Sequence, residues 1–78
     1  MKREHLVQKR EDAHLSQRQL AQKLQIAEIT VRSIESGNRT PSLTLAAKYA
    51  TFFNSSVEFL FPDVFLKSAM SSDYKAAK

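Results

Sequence analysis

Ser16 to Glu35 reads SQRQLAQKLQIAEITVRSIE, and the spacing of its apolar residues decides the fold. Leu20, Ala21 and Leu24 share one helical face, while Val31 and Ile34, three apart, form the inner stripe of a second helix. Ile26 lies in the turn between them, at Gln25–Ala27. Ser16 and Gln19 fit the S/T-x-x-E/Q capping box, in which each side chain satisfies the other's backbone N–H. Two helices that cross steeply need a small residue where they approach most closely, and Ala21 stands there. An ordinary corner of a helical core has the same spacing. The outward positions separate the two readings: Ala27, Glu28, Ile29 and Arg32, with Ser33 beside them, form a short set that can donate, accept and touch methyl groups. A lone exposed isoleucine means little, but next to Arg32 and Glu28 it has the makings of a contact surface.

Working outward, the N-terminal segment predicts a helix from about Lys2 to Asp12, with Leu6, Val7 and Ala13 facing inward. The helix carrying Val31 and Ile34 stops at Gly37, the single glycine in the chain, placed where a left-handed C′ residue is wanted. NRTPS follows as a loop in which Pro41 keeps Thr40 out of the helical region. Ser42 is the expected N-cap of a fourth helix containing Leu43, Ala46, Ala47, Tyr49, Ala50 and Phe53, and Asn54 its left-handed stop. Ser56 then caps a short fifth helix, VEFLF, ended by Pro62. The fold class read from this plan is all-α, a compact five-helix domain. Residues 1–66 form the domain with an apolar C-terminal segment, and 67–78 a polar, mobile tail.

Composition agrees. In 78 residues one glycine and two prolines leave few sharp turns for an all-β domain, and a single core is all that fits. Without cysteine there is no disulfide and no thiolate metal site. No apolar run reaches membrane-spanning length and MKREHLVQKRED has no apolar signal core, so a cytoplasmic protein without a membrane partner is expected. Twelve Lys/Arg against eight Asp/Glu give +4 and a pI near 9.7, which favours a polyanionic partner, although charge for solubility has the same signature. His5 and His14 have no acid–nucleophile arrangement beside them, Glu4, Glu11 and Asp12 read as surface charge, and there is no Gly-rich phosphate loop or metal-ligand spacing. Catalysis, a metal and a cofactor are therefore not expected.

From Leu6 to Phe61 the chain resembles the Cro/repressor-type (XRE) helix-turn-helix domains of phage repressors and small bacterial regulators. The pieces that carry the resemblance are LSQRQLAQKL, ITVRSIESGNRTPSL and LAAKYATFFNSSVEFLF, in order and with matching loop lengths. The resemblance implies a lambda-repressor-like fold and binding to double-stranded DNA, with the second helix of the motif in the major groove and the first spanning the backbone. Family members usually have glycine where this chain has Gln25 and Asn54. A non-glycine residue at positive φ costs on the order of 1 kcal/mol, less for asparagine.

In that docking mode Arg32 is the main candidate for base readout, because its fork can bond guanine O6 and N7 together. Glu28 can accept from cytosine N4 or hold Arg32 in place, Ile29 can pack on a thymine methyl, and Ala27 and Ser33 complete the set. Phosphate contacts are expected from Gln17, which matches a family glutamine with that role, helped by the free N–H groups of its helix start. Arg10 and Thr30 join it, with Arg18 and Lys9 weaker, and Ser36, Asn38, Arg39 and Thr40 form the loop that would hold the next phosphates. The resemblance also implies an orienting pair of Arg10 with Glu35, tying the first helix to the third.

At the C-terminal end Phe59, Phe61, Val64, Phe65 and Leu66 belong to a cluster too apolar for so small a core to absorb entirely. Relatives dimerise through this region, so these residues are the expected interface of a homodimer binding a pseudo-palindrome. Folding FLFPDVFL back onto the monomer is the competing account. The function expected is a transcriptional regulator, most simply a repressor; the alternative is an antitoxin or protein-interaction module whose DNA binding is secondary.

Overall fold

A computed structural model describes residues 2–65, and these form five helices: α1 (Glu4–Asp12), α2 (Gln17–Leu24), α3 (Glu28–Ser36), α4 (Leu43–Phe53) and α5 (Val57–Leu60). The all-α class holds, and no helix among the described residues is long and apolar enough to cross a membrane.

Serine caps set three of the five starts. The capping box at α2 is complete, with Gln19 N–H donating to Ser16 Oγ at 3.0 Å and Ser16 N–H donating to Gln19 Oε1 at 2.8 Å. Ser42 accepts from Leu45 N–H at 3.1 Å and Ser56 from Phe59 N–H at 3.0 Å. Such a cap contributes about 1 kcal/mol relative to alanine. The left-handed stops at Gly37 (φ 87°) and Asn54 (53°) stand as read, and Gln25, where the resembling family usually has glycine, is left-handed too at 59°. A third non-glycine residue, His14 at φ 60°, joins them unforeseen.

Two helix boundaries differ from expectation. α1 begins at Glu4 because Arg3 turns its backbone N–H to the Glu35 carbonyl, 2.8 Å away, at the end of α3. Ala13, expected inward, is exposed, since the chain turns at His14 and sends Leu15 to the core instead. α5 stops at Leu60, leaving Phe61 in an extended-side conformation (φ −132°) from which its ring enters the core.

The core consists of Leu6, Leu20, Ala21, Leu24, Val31, Ile34, Ala46, Tyr49, Leu60 and Phe61, all essentially removed from water. Tyr49 and Phe61 meet edge to face at 5.4 Å between centroids, a geometry favoured by the ring quadrupoles. Truncating Leu20 or Ile34 here would cost about 2–5 kcal/mol, a large share of a small domain's stability. The Tyr49 hydroxyl is buried without a hydrogen-bond partner among the described residues. Burial, and then the nearby Glu35 charge, push its pKa well above the tyrosine range.

Beyond α5 the chain folds back, Val64 N–H and Phe65 N–H both donating to the Phe61 carbonyl at 3.0 and 2.8 Å. Val64 and Phe65 are half-buried against the core. Phe61 is fully buried and has no surface to offer a partner, which removes it from the expected interface. Leu66 and the tail at 67–78 lie outside the described residues.

Candidate nucleic-acid interface

The first turn of α2, the outward face of α3 and the loop Gly37–Thr40 carry the candidate contacts. Burial of Val31, Ile34 and Glu35 orients α3, leaving its opposite face to solvent. On that face Ile29 is 56% exposed. Arg32 and Glu28 flank it, and Arg32 Nη2 lies 3.5 Å from Glu28 Oε2, one helical turn back. An exposed pair of this type is worth roughly 0.3–0.5 kcal/mol, so it orients Arg32 without holding it firmly. Ala27 is exposed, while Thr30 and Ser33 are half-buried at the rim of the same face.

Arg10 and Glu35 form the pair the resemblance implies. Arg10 Nε donates to Glu35 Oε2 at 2.7 Å and Nη2 to Oε1 at 3.2 Å, a bidentate arrangement, and Nη1 donates to the Leu15 carbonyl at 2.9 Å. The hydrogen bond to Glu35 raises the Arg10 pKa still further, against the opposing effect of burial. With its donors directed inward and the side chain 12% exposed, Arg10 serves as a brace between α1, α2 and α3. Gln17 joins the same network, its Nε2 donating to Glu35 Oε1 at 3.0 Å. Its amide is thereby held at the mouth of a cleft of about 480 Å³ lined by Lys2, Val7, Arg10, Glu11, Gln17, Arg32, Glu35 and Ser36. Lys2, which sequence reading passed over, thus adds a cation to the lining of the cleft that Arg32 also lines.

The loop after α3 is shaped by its own backbone. Asn38 N–H and Arg39 N–H both donate to the Ser33 carbonyl, at 3.0 and 3.2 Å, while the Ser36 hydroxyl donates to the same carbonyl at 3.0 Å. Ser36 therefore supports the loop from inside, and the side chains of Asn38, Arg39 and Thr40 are the ones left exposed. Arg18 is exposed on α2. Lys9 points elsewhere, its Nζ 5.4 Å over the ring of Phe59. Between residues 13 and 27, and again between 36 and 57, the chain has no Asp or Glu at all. α2, the loop and α4 thus present Arg18, Lys23, Arg39 and Lys48 without compensating carboxylates, a field that attracts a polyanion.

The residue that sequence reading missed most completely is Arg3. Only 5% exposed, it reaches across the domain with Nη1 donating to the carbonyls of Ile34 (2.6 Å) and Arg39 (3.0 Å). Its Nε and Nη2 donate to the two carboxylate oxygens of Asp63 at 3.3 and 2.8 Å. These bonds from Arg3 hold the Asp63 carboxyl below the usual aspartate range. Away from all this, Phe59 is 57% exposed beside α1, edge-on to His5, whose Nε2 donates to the Leu60 carbonyl at 2.6 Å.

A family model described as helix-turn-helix matches residues 6–60. An uncharacterized HTH-type transcriptional regulator of Methanocaldococcus jannaschii is 44% identical over 48 residues, covering 62% of this chain and 73% of the relative. No solved structure matches.

Proposed function

Because the chain belongs to the helix-turn-helix family, we propose that it is a DNA-binding transcription regulator that reads a specific operator through α3. The observation that carries this reading is the outward face of α3, where Ile29 stands exposed between Glu28 and Arg32 on a helix whose inner face is buried. The description of the archaeal relative as a transcriptional regulator supports it.

In this reading α3 enters the major groove and the start of α2 lies over the backbone. Arg32 exchanges its loose contact with Glu28 for O6 and N7 of a guanine, a bidentate bond worth about 1–3 kcal/mol of discrimination. Ile29 covers a thymine methyl, and Glu28, released, accepts from a cytosine amino group or screens against a wrong register. Gln17, Arg18, Asn38, Arg39 and Thr40 contact phosphates and fix the register without reading sequence. Arg10 and Glu35 act as the brace that keeps the Gln17 amide and α3 in fixed relation.

The regulator acts as a homodimer and a repressor, its two copies of α3 set one helical turn apart, roughly 34 Å, so that the operator is a pseudo-palindrome. The exposed ring of Phe59, with the half-buried Val64 and Phe65 following it, is the surface that supports dimerisation. Occupying a promoter is then sufficient for repression.

Selection of binding sites from a random duplex pool at near-physiological salt tests the proposal. A two-fold symmetric motif with half-sites one turn apart is the expected result. Weak, salt-sensitive binding that enriches no motif would refute sequence-specific regulation.

A further inference from the structure

We infer that Arg3 is a positioning residue of the DNA interface, holding the loop Gly37–Thr40 in place and tying it to the C-terminal end of the domain through Asp63. The inference rests on the DNA-binding reading above and adds to it a residue that touches no DNA. At 5% exposure Arg3 cannot reach a phosphate. Its guanidinium instead binds the carbonyl of Ile34 in the last turn of α3 and the carbonyl of Arg39 in the loop. The loop needs such a tether. It leaves α3 through Gly37 at φ 87°, the residue type with the least backbone resistance to movement. Within the loop the amides of Asn38 and Arg39 both donate to the Ser33 carbonyl, and Asn38 N–H makes a longer bond of 3.4 Å to the Ser36 hydroxyl, so every internal acceptor belongs to α3 itself. Arg3 supplies the outer hold, and it fixes the main chain of the residue whose side chain is the loop's exposed cation.

The remaining donors of Arg3 are taken by Asp63 in a two-point contact, while the Arg3 guanidinium carbon lies 5.6 Å from the centroid of the Phe61 ring. Lysine could not do this, since one ammonium cannot span two carbonyls and both oxygens of a carboxylate in a planar fork. The segment after α5 thus sets the aim of the fork, and through it the loop.

Two variants of the full chain test this, Arg3→Met and Asp63→Ala, each assayed at temperatures where circular dichroism shows it folded. Arg3→Met retains an apolar stem against Phe61. Asp63→Ala leaves every loop residue untouched, and because Asp63 is partly exposed it keeps the test available if Arg3→Met does not fold. Both are expected to weaken binding to every duplex alike and to flatten the dependence of log affinity on log salt, by about 0.9 for each phosphate that the loop no longer neutralises. Hydrogen exchange at the Asn38 and Arg39 amides is expected to accelerate while the core amides of Leu20 and Val31 keep their protection. Folded variants with wild-type affinity, salt slope and loop exchange would overturn the inference. If the wild-type protein binds no duplex, the proposed function fails. Arg3 is then judged on loop exchange alone: acceleration supports its positioning role, and unchanged protection refutes it.

Discussion

Replacing Arg10 by methionine leaves the Glu35 carboxylate stranded. Glu35 is 4% exposed and takes three hydrogen bonds, two from Arg10 at 2.7 and 3.2 Å and one from Gln17 at 3.0 Å. Methionine keeps most of the aliphatic stem, so packing changes little, but only the neutral amide of Gln17 remains to face the charge. Removing one partner of a buried pair costs about 3–5 kcal/mol, and in a domain of this size each kcal/mol lowers Tm by roughly 4–8 °C. The expected drop in Tm is therefore at least about 12 °C. The double variant Arg10→Met/Glu35→Met removes both charges and should regain most of that drop, because two apolar side chains replace the pair without an orphan. Thermal and urea melts of the wild type, both single variants and the double variant, followed by circular dichroism, close the cycle. A destabilisation below about 1 kcal/mol for Arg10→Met would put the pair in the class of solvated ones, and a double variant as unstable as the sum of the singles would show no coupling. Either result refutes the brace.

Arg32→Ala should cost about 1–3 kcal/mol at its own base pair and leave non-specific binding nearly intact, whereas Arg39→Ala should weaken all duplexes alike and flatten the salt slope by about one unit. Equal weakening on all sequences for Arg32→Ala would make it a phosphate contact. Gln25→Gly should raise stability by up to about 1 kcal/mol by relieving a left-handed conformation, and a lower urea midpoint would contradict this. Phe59→Glu should convert the proposed dimer to monomer in sedimentation, an unchanged dimer profile placing Phe59 outside the interface. Asp63 has a folded pKa below its unfolded value, so its contribution is complete above about pH 4 and disappears as pH falls through the depressed value. Wild type and Asp63→Asn should therefore differ near neutrality and converge in acid. The gap is small because the carboxylate is partly exposed.

What was legible in the sequence was local. The serine caps, the left-handed positions at Gly37 and Asn54, and the inner stripes of α2 and α3 each depend on neighbours within four residues, while Gln25 was marked only by the glycine that the resembling family has there. The Arg10–Glu35 pair came from the resemblance, not from spacing. What was not legible depends on distant partners. Arg3 looks like one more surface cation, and its acceptors are two backbone carbonyls and a carboxylate sixty residues away. FLF gives no period by which to tell buried Phe61 from exposed Phe59; only the short α5 and the fold-back after it separate them. His14 carries no glycine or asparagine signal for its positive φ.

His14, Gln25 and Asn54 all lie on the surface, outside the core and off the outward face of α3. Changes that alter what a protein recognises usually cost it stability, and a domain near its threshold can accept few of them. Here the means of offsetting such costs sits in three exposed turns, at positions where glycine is the easier residue. On the proposed reading, operator preference can therefore drift through replacements on α3 while compensating changes accumulate elsewhere, in turns off its outward face.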